Sequence, residues 1–483
     1  MRKFKKKKLP QIDNILITDA ASEGKSLTRL SAPFENLPEN YVIFVDNAVP
    51  GDVVDLQLTN KKKNFAEAKA VKFYEFSEKR TDPFCSHFGV CGGCKWQSMQ
   101  YTWQLYYKQK QVEDHLKRIG KFDMPELMPI IPAAEDRYYR NKLEFSFSNK
   151  RWLDQQDMER QSGGDPIQLL EMNALGFHIP GRFDKVLDID KCYLQEELSN
   201  AIRTEIKSYA LQNKLSFFDI KQQKGLLRTI ILRNTTLNEW MLIVNFGYDD
   251  SEQIKALLSH ISDKFSQITS LQYVINEKRN DTITDQQVLV FKGDSFITEQ
   301  MKDLKFKIGP KSFFQTNTLQ AIKLYDVVVD FAALKGNELV YDLYTGTGTI
   351  ANYIARKAKK VIGVEYVPEA IDDARINSSI NAINNTIFFA GDMKEILNDD
   401  FIHVNGQPDV IITDPPRAGM HPDVVNKLIA IAANRIVYVS CNSATQARDL
   451  AMLDAIYKVE KIQPVDMFPH THHVENVILL LKR

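Results

Sequence analysis

Cysteine is scarce and odd in number: Cys85, Cys91, Cys94, Cys192 and Cys441 in a chain of 483 residues. A disulfide-held secreted domain would carry a denser and even set, so that class is excluded. Long apolar runs are missing too, since no stretch approaches the roughly 20 residues that cross a bilayer. Neither sign of charge is in excess, with 62 Lys plus Arg against 62 Asp plus Glu. A neutral chain has no global pull toward phosphate backbones, which leaves local patches such as Lys5 to Lys8 and Lys61 to Lys63. Each reads equally well as solvated tail or loop charge. The basic start, Met1-Arg2-Lys3-Phe4, is not followed by the apolar core of a secretory signal. The expectation is a cytoplasmic protein with no membrane partner.

What is present is an ordinary globular mix, 44% hydrophobic and 26% charged, long enough for two to four domains. Residues 1–75 read as short β-branched strands, among them Ile15–Thr18, Tyr41–Val45 and Val53–Leu58, punctuated by Asn47 and Pro50-Gly51-Asp52. This pattern fits an OB-like β-barrel, a fold that often holds oligonucleotides. A second region, 76–308, opens on the cysteine cluster. A helix over 100–120 follows, with Val112, His115, Leu116 and Ile119 at helical spacing, and it is expected to pack on the catalytic domain. Its aromatics Tyr101, Trp103, Tyr106 and Tyr107 read as packing residues. The rest of the region mixes strands near 143–148, 229–232, 241–246 and 287–291 with helices near 195–212 and 251–265, an α+β domain. Gln161 to Pro166 reads as a loop excursion within it.

From 309 to 483 strands and helices alternate. Strands are expected at Glu338–Tyr341, Lys360–Val364, Thr386–Phe389, Asp409–Ile412, Arg435–Val439 and Asn476–Leu481, with helices between them. That rhythm implies a doubly wound, mostly parallel α/β sheet with its ligand site at the carboxyl ends of the strands.

At the first such end stands Asp342-Leu343-Tyr344-Thr345-Gly346-Thr347-Gly348. Its glycines allow a tight turn and close approach to a ligand. Gly346-x-Gly348-x-x-Ala351 also satisfies a dinucleotide fingerprint. Asp342 favours a cationic amino-acid moiety instead, because an acid at the loop's entrance repels a pyrophosphate. Glu365, at the next strand end, suits two ribose hydroxyls, and Asp392, at the third, suits an adenine amino group. Solvated charge is the plain alternative for Glu365, and turn chemistry for Asp392.

Asp414-Pro415-Pro416-Arg417 follows the fourth strand as a stiff loop bearing an acid. Cys441 follows the fifth, where a helix begins and its dipole is expected to stabilise a thiolate. A lone cysteine on a strand is more often buried and inert; its neighbours single this one out. Glu475 precedes the last strand and supplies a base. Together they fit methylation of uracil C5: a thiolate adds to C6 and makes C5 nucleophilic, and a carboxylate later removes the C5 proton. The target base must first be unstacked. His470, His472 and His473 are poorly spaced for a tetrahedral metal site. Three cysteines at x5 and x2 spacing plus a distant fourth fit a four-thiolate zinc site or an iron–sulfur cluster equally well.

These motifs closely resemble the RNA uracil-5-methyltransferase family, in particular its iron–sulfur, TRAM-domain branch acting on 23S ribosomal RNA. The resemblance runs over nearly the whole chain. It is carried by Cys85-x5-Cys91-Gly92-Gly93-Cys94, Phe313-Phe314-Gln315, Asp342 to Gly348, Asp414 to Arg417, Ser440-Cys441-Asn442, and Phe468-Pro469-His470-Thr471 to Glu475. It implies a class I methyltransferase domain using S-adenosyl-L-methionine, with Cys441 as nucleophile and Glu475 as base. Gln315, Tyr344, Glu365 and Asp414 correspond to cofactor-pocket residues, and Asp392 to a less uniform position. Cys85, Cys91, Cys94 and Cys192 correspond to ligands of a [4Fe-4S] cluster, and residues 1–75 to a TRAM domain that binds RNA. A monomer acting on 23S rRNA is expected, with tRNA as the other RNA to weigh. A methylthiotransferase and a non-catalytic assembly factor are rival readings. The family usually has Phe at Tyr344, Asn at Thr349 and Pro at Ser443, and the turn at Glu23-Gly24-Lys25-Ser26 lacks a second glycine common in TRAM domains.

Overall fold

The structure is a computed structural model that describes residues 9–165 and 167–483; the basic run Lys5 to Lys8 and Pro166 lie outside the described residues. The catalytic region holds a seven-stranded sheet. Its strands are β1 (Leu339–Leu343), β2 (Lys360–Glu365), β3 (Thr386–Ala390), β4 (Val410–Thr413), β5 (Arg435–Ser440), β6 (Tyr457–Val465) and β7 (Glu475–Lys482). They lie in the order β3-β2-β1-β4-β5-β7-β6. The first five run parallel, and β7 inserts antiparallel between β5 and β6. The expected doubly wound α/β sheet is therefore present.

Residues alternate between two apolar layers, which explains why the central strands are hydrophobic on both sides. Val340, Val437 and Val439 face one layer with Leu324, Val328 and Ile354. Tyr341, Ile436 and Tyr438 face the other with Leu428 and Leu450. Burying each such side chain contributes on the order of 1.5–3 kcal/mol.

Two elements outside 309–483 join these layers. The hairpin Ile297–Met301 and Leu304–Ile308 buries Ile297, Met301 and Phe306 in the first. The helix Tyr101–His115, prolonged by a wider turn to Gly120, buries Val112 and Leu116 in the second. Of the four residues read as its apolar stripe, Ile119 is exposed, while the polar Gln104 and Lys108 are fully buried.

The remaining regions match the expected classes. Strands between Gln11 and Glu75 form a curled six-stranded sheet around Ile43, Val54, Leu56 and Ala66. The central region is a seven-stranded sheet flanked by helices Glu197–Gln212 and Ser251–Lys264. Of the stretch read as a loop at 161–166, Gln161 and Ser162 instead end a helix, Gln155–Ser162, started by Asp154 and Asp157, which bond each other's backbone. Among the described residues no helix is long and apolar enough to cross a membrane.

Candidate active site

Topology explains why distant residues meet. In parallel strands the carboxyl ends share one edge, and Asp342, Glu365, Asp414 and Cys441 all stand there. Because β7 runs the other way, its first residue, Glu475, reaches the same edge: Asn476 pairs with Ser440, and Glu475 with Val465. Gln315 enters from the loop before helix Thr318–Ala332, fastened where Asn141 donates to its carbonyl at 2.9 Å.

The glycine loop is drawn tight. Gly346 and Gly348 have φ of 55° and 74°, and Tyr344, which is not glycine, has 62°. A Cβ on Gly348 would lie 2.8 Å from Ala374 Cβ, whereas one on Gly346 would meet nothing within 4 Å. Gly348 serves packing and Gly346 faces open space. Glu365 spans the loop, accepting from Gly346 N at 3.1 Å and Val367 N at 3.0 Å. Asp392 instead caps the short helix Met393–Ile396, accepting from Lys394 N at 3.0 Å. Turn chemistry thus accounts for one of its oxygens.

Carboxylates crowd the centre. Asp342 accepts from Thr345 Oγ1 at 2.5 Å, but its Oδ1 is buried without a partner. Burial pushes Asp342 up to about 7, and burial with the Asp342 charge pushes Asp414 up to about 7. Glu475 is raised to about 8 by burial and by Asp414, against the pull of Arg417. Among the described residues neither Asp414 nor Glu475 has a side-chain hydrogen bond to the protein, so both have free valences for a ligand.

Cys441 is raised to about 11, first by burial and then by Glu475 and Asp414. The expected dipole-stabilised thiolate is therefore not what the free protein holds. Helix Ser443–Leu453 is capped by Asn442, whose side chain accepts from Ala444 N, and burial, reinforced by two nearby acids, disfavours the thiolate.

Two contributors were missed from sequence. Arg417, whose charge acts on both Cys441 and Glu475, donates to His473 Nδ1 at 2.8 Å. His473 is held neutral, its pKa lowered to about 3 by burial, His472 and Arg417. Tyr325, 4% exposed on helix Thr318–Ala332, feels the charges of Asp414, Asp342 and Glu475, which with burial raise its hydroxyl. In sequence it was indistinguishable from a packing aromatic.

The other four cysteines form a separate group. Burial is the main cause that raises all four, with Cys94 at about 12 and Cys192 at about 11; Cys94, Cys91 and Cys192 also feel neighbouring thiol charges. Gly93 N donates to Cys91 Sγ at 3.4 Å, and Asn200 brackets Cys192 through its backbone N–H and carbonyl. Among the described residues no three His, Cys, Asp or Glu side chains converge as one ion requires. The group abuts the active-site loop: Lys95 N and Trp96 N donate to His470 O at 2.8 and 3.0 Å. The turn at Gly24 docks there too, its carbonyl accepting from Trp96 Nε1 at 3.1 Å.

A family model described as tRNA (uracil-5-)-methyltransferase matches residues 234–483, and a TRAM domain model matches 8–71. The chain belongs to the tRNA (uracil-5-)-methyltransferase family. It is 56% identical to an uncharacterized RNA methyltransferase of Bacteroides thetaiotaomicron, over 95% of this chain and 99% of that one. It is 53% identical to one of Porphyromonas gingivalis, over 96% and 99%. Among solved structures it resembles a Pyrococcus abyssi tRNA (uracil-54, C5)-methyltransferase in complex with S-adenosyl-L-homocysteine. That match has a TM-score of 0.74 and 27% identity, over 97% of this chain and 100% of that one. Family membership makes the chain an RNA methyltransferase.

Proposed function

We propose that this chain, as a cytoplasmic monomer, methylates C5 of a uridine in RNA through a covalent bond between Cys441 and C6 of the base. The observation that carries this reading is the meeting of Cys441, Glu475 and Asp414 at one sheet edge, with neither carboxylate satisfied by the protein.

The residues present fit S-adenosyl-L-methionine. Asp342 has an orphaned buried oxygen and two acids titrate near 7, which is the donor set for a cationic ligand. Gly346 opens onto unfilled space beside Glu365. Asp342 would hold the amino-acid end, Glu365 the ribose, Asp392 the adenine, and Gln315, Tyr344 and Asp414 the remaining wall. When bound, S-adenosyl-L-methionine supplies an electrophilic methyl group and a formal positive charge.

Cys441 gives up its thiol proton to solvent and adds to C6 as the thiolate, moving the C5–C6 π electrons toward C5. After C5 is methylated, Glu475 removes its proton; the C–H electrons restore the C5–C6 double bond and expel the thiolate. Arg417 acts on both groups, lowering the cost of charging each.

Cys85, Cys91, Cys94 and Cys192 would hold a [4Fe-4S] cluster. What supports this is that Cys91, Cys94 and Cys192 feel neighbouring thiol charges and that Gly93 N donates to Cys91 Sγ. The cluster's role would be structural or in positioning RNA, as methyl transfer consumes no electron.

The cysteine segment together with the TRAM domain favours 23S ribosomal RNA. The whole-chain likeness to the Pyrococcus enzyme, which acts on tRNA, favours tRNA as the second reading. Unmodified transcripts of both, offered with methyl-labelled S-adenosyl-L-methionine, separate the two. Transcripts containing 5-fluorouridine are expected to trap a denaturant-stable protein–RNA adduct that Cys441→Ala cannot form. Methylation by the wild-type protein without any trapped adduct would overturn the covalent mechanism.

A further inference from the structure

The loop between β6 and β7 carries the base of the proposed reaction, yet much of what holds it lies far away in sequence. Helix Tyr101–His115 turns Tyr101, Gln104 and Lys108 toward residues 466–470; positions i, i+3 and i+7 share one helix face. Tyr101 Oη donates to Asp466 Oδ2 at 2.8 Å. Lys108 Nζ lies 2.6 Å from Asp466 Oδ1 and donates to Phe468 O at 3.0 Å. Gln104, which has no exposed surface, accepts from His470 N at 2.8 Å through Oε1. Its Nε2 donates to Trp96 O at 3.0 Å and Met99 O at 2.8 Å, and lies 3.2 Å from His470 Nδ1.

His470 is the strained point of this loop. Its φ is 63°, a conformation that side-chain-bearing residues adopt at a cost of about 1–2 kcal/mol. Its N–H is taken by Gln104 and its carbonyl by Lys95 N and Trp96 N. Three residues on, His473 accepts from Arg417, and two further on stands Glu475. Apolar residues at 104 and 108 would leave the His470 N–H, the Phe468 carbonyl and Asp466 short of partners, so this face matches the loop group by group. What the polar face adds is direction, since each bond fixes one atom of the loop.

We infer that Gln104, with Tyr101 and Lys108, is a positioning element for the reaction: it fixes His470 and so sets Arg417 and Glu475 against the substrate base. This rests on the reading of Glu475 as the proton acceptor.

The test separates proton removal from adduct formation. Full-length protein is mixed with S-adenosyl-L-methionine and 23S rRNA and tRNA transcripts labelled with tritium at uracil C5. Tritium release reports proton removal, and the denaturant-stable complex reports adduct. Glu475→Gln is expected to form adduct and slow tritium release by about 10²–10⁴-fold. Gln104→Ala is expected to form adduct at nearly the wild-type rate and slow release by about 10- to 100-fold, the effect of a small misplacement. Tyr101→Phe, which loses one hydroxyl, is expected to shift the same ratio less. Gln104→Glu, which keeps the acceptor for His470 N–H, is expected to recover part of the loss.

Wild-type release in Glu475→Gln would overturn the base assignment itself. Slow release in Glu475→Gln beside an unchanged ratio in Gln104→Ala would overturn the positioning role alone. If Gln104→Ala does not fold, an unchanged ratio in both Tyr101→Phe and Gln104→Glu overturns it.

Discussion

Lys108 and Asp466 form an ion pair 2.6 Å long with no exposure of either side chain, joining the helix after the cysteine segment to the end of β6. Desolvating two charges is costly, and the pair is stable here because Tyr101 Oη, Phe468 N and Phe468 O complete it. Breaking one side strands the other. Asp466→Ala is expected to cost about 3–5 kcal/mol. Lys108→Met/Asp466→Ala is expected to cost less than the two single changes summed, by about 0.5–3 kcal/mol. Denaturant unfolding of the four proteins in the cycle measures this coupling, and strict additivity would contradict it.

The two loop glycines are expected to fail differently. Gly348→Ala puts a methyl 2.8 Å from Ala374 Cβ and 3.1 Å from Phe388 Cζ, at a φ of 74°. Overpacking of about 1–3 kcal/mol adds to the backbone cost, so its melting temperature should fall. Gly346→Ala carries the backbone cost alone, about 1–2 kcal/mol. Its methyl enters open space where ligand is proposed to lie, so it should melt nearer wild type yet lose affinity for S-adenosyl-L-homocysteine. Calorimetric titration beside thermal melting distinguishes them; equal affinity in Gly346→Ala and wild type would remove the cofactor from that space.

The catalytic sheet was legible because its central strands are apolar on both faces and its helices are amphipathic, so periodicity carried the message. Strand β6 was not. It alternates only in part, shifts register between Val459 and Lys461, and contains Pro464, all signs of loop. It tolerates them as the edge strand, where a missing N–H and outward charges cost little. The carboxyl-edge acids were legible as punctuation after strands. Arg417, Tyr325 and Gln104 were not, because their placement depends on contacts between residues distant in sequence. Gln104 and Lys108 also broke the apolar stripe that would have marked the helix's buried face.

The cysteine group makes a chemical prediction. Protein purified without oxygen is expected to carry iron and acid-labile sulfide in equal amounts, and Cys192→Ala to lose both. Zinc without sulfide would exclude the cluster. Because Lys95 and Trp96 hold His470, removing the cluster should also speed amide exchange at His470, read by hydrogen-exchange mass spectrometry.

Ligand binding and stability should depend on pH in opposite directions, for one cause. Asp342 and Asp414 titrate near 7 and Glu475 near 8 in the folded protein, against about 3.9 and 4.3 when unfolded. Between those limits the folded state binds more protons, so stability falls as pH rises. The contribution is full below about pH 4 and is lost by about pH 8, the reverse of a salt-bridged acid. A cation binding among these groups favours their charged forms and drives protons off. S-adenosyl-L-methionine should therefore bind more tightly at pH 8 than at pH 6, with proton release near pH 7 seen as a heat that varies with the buffer's ionisation enthalpy. The melting temperature of the free protein should drop over the same interval, and ligand should restore more of it at pH 8. His472 and His473, held near 4 and 3, stay neutral throughout and do not share in the effect. In Asp342→Asn the proton release should shrink; release of the wild-type amount would place the titrating groups elsewhere.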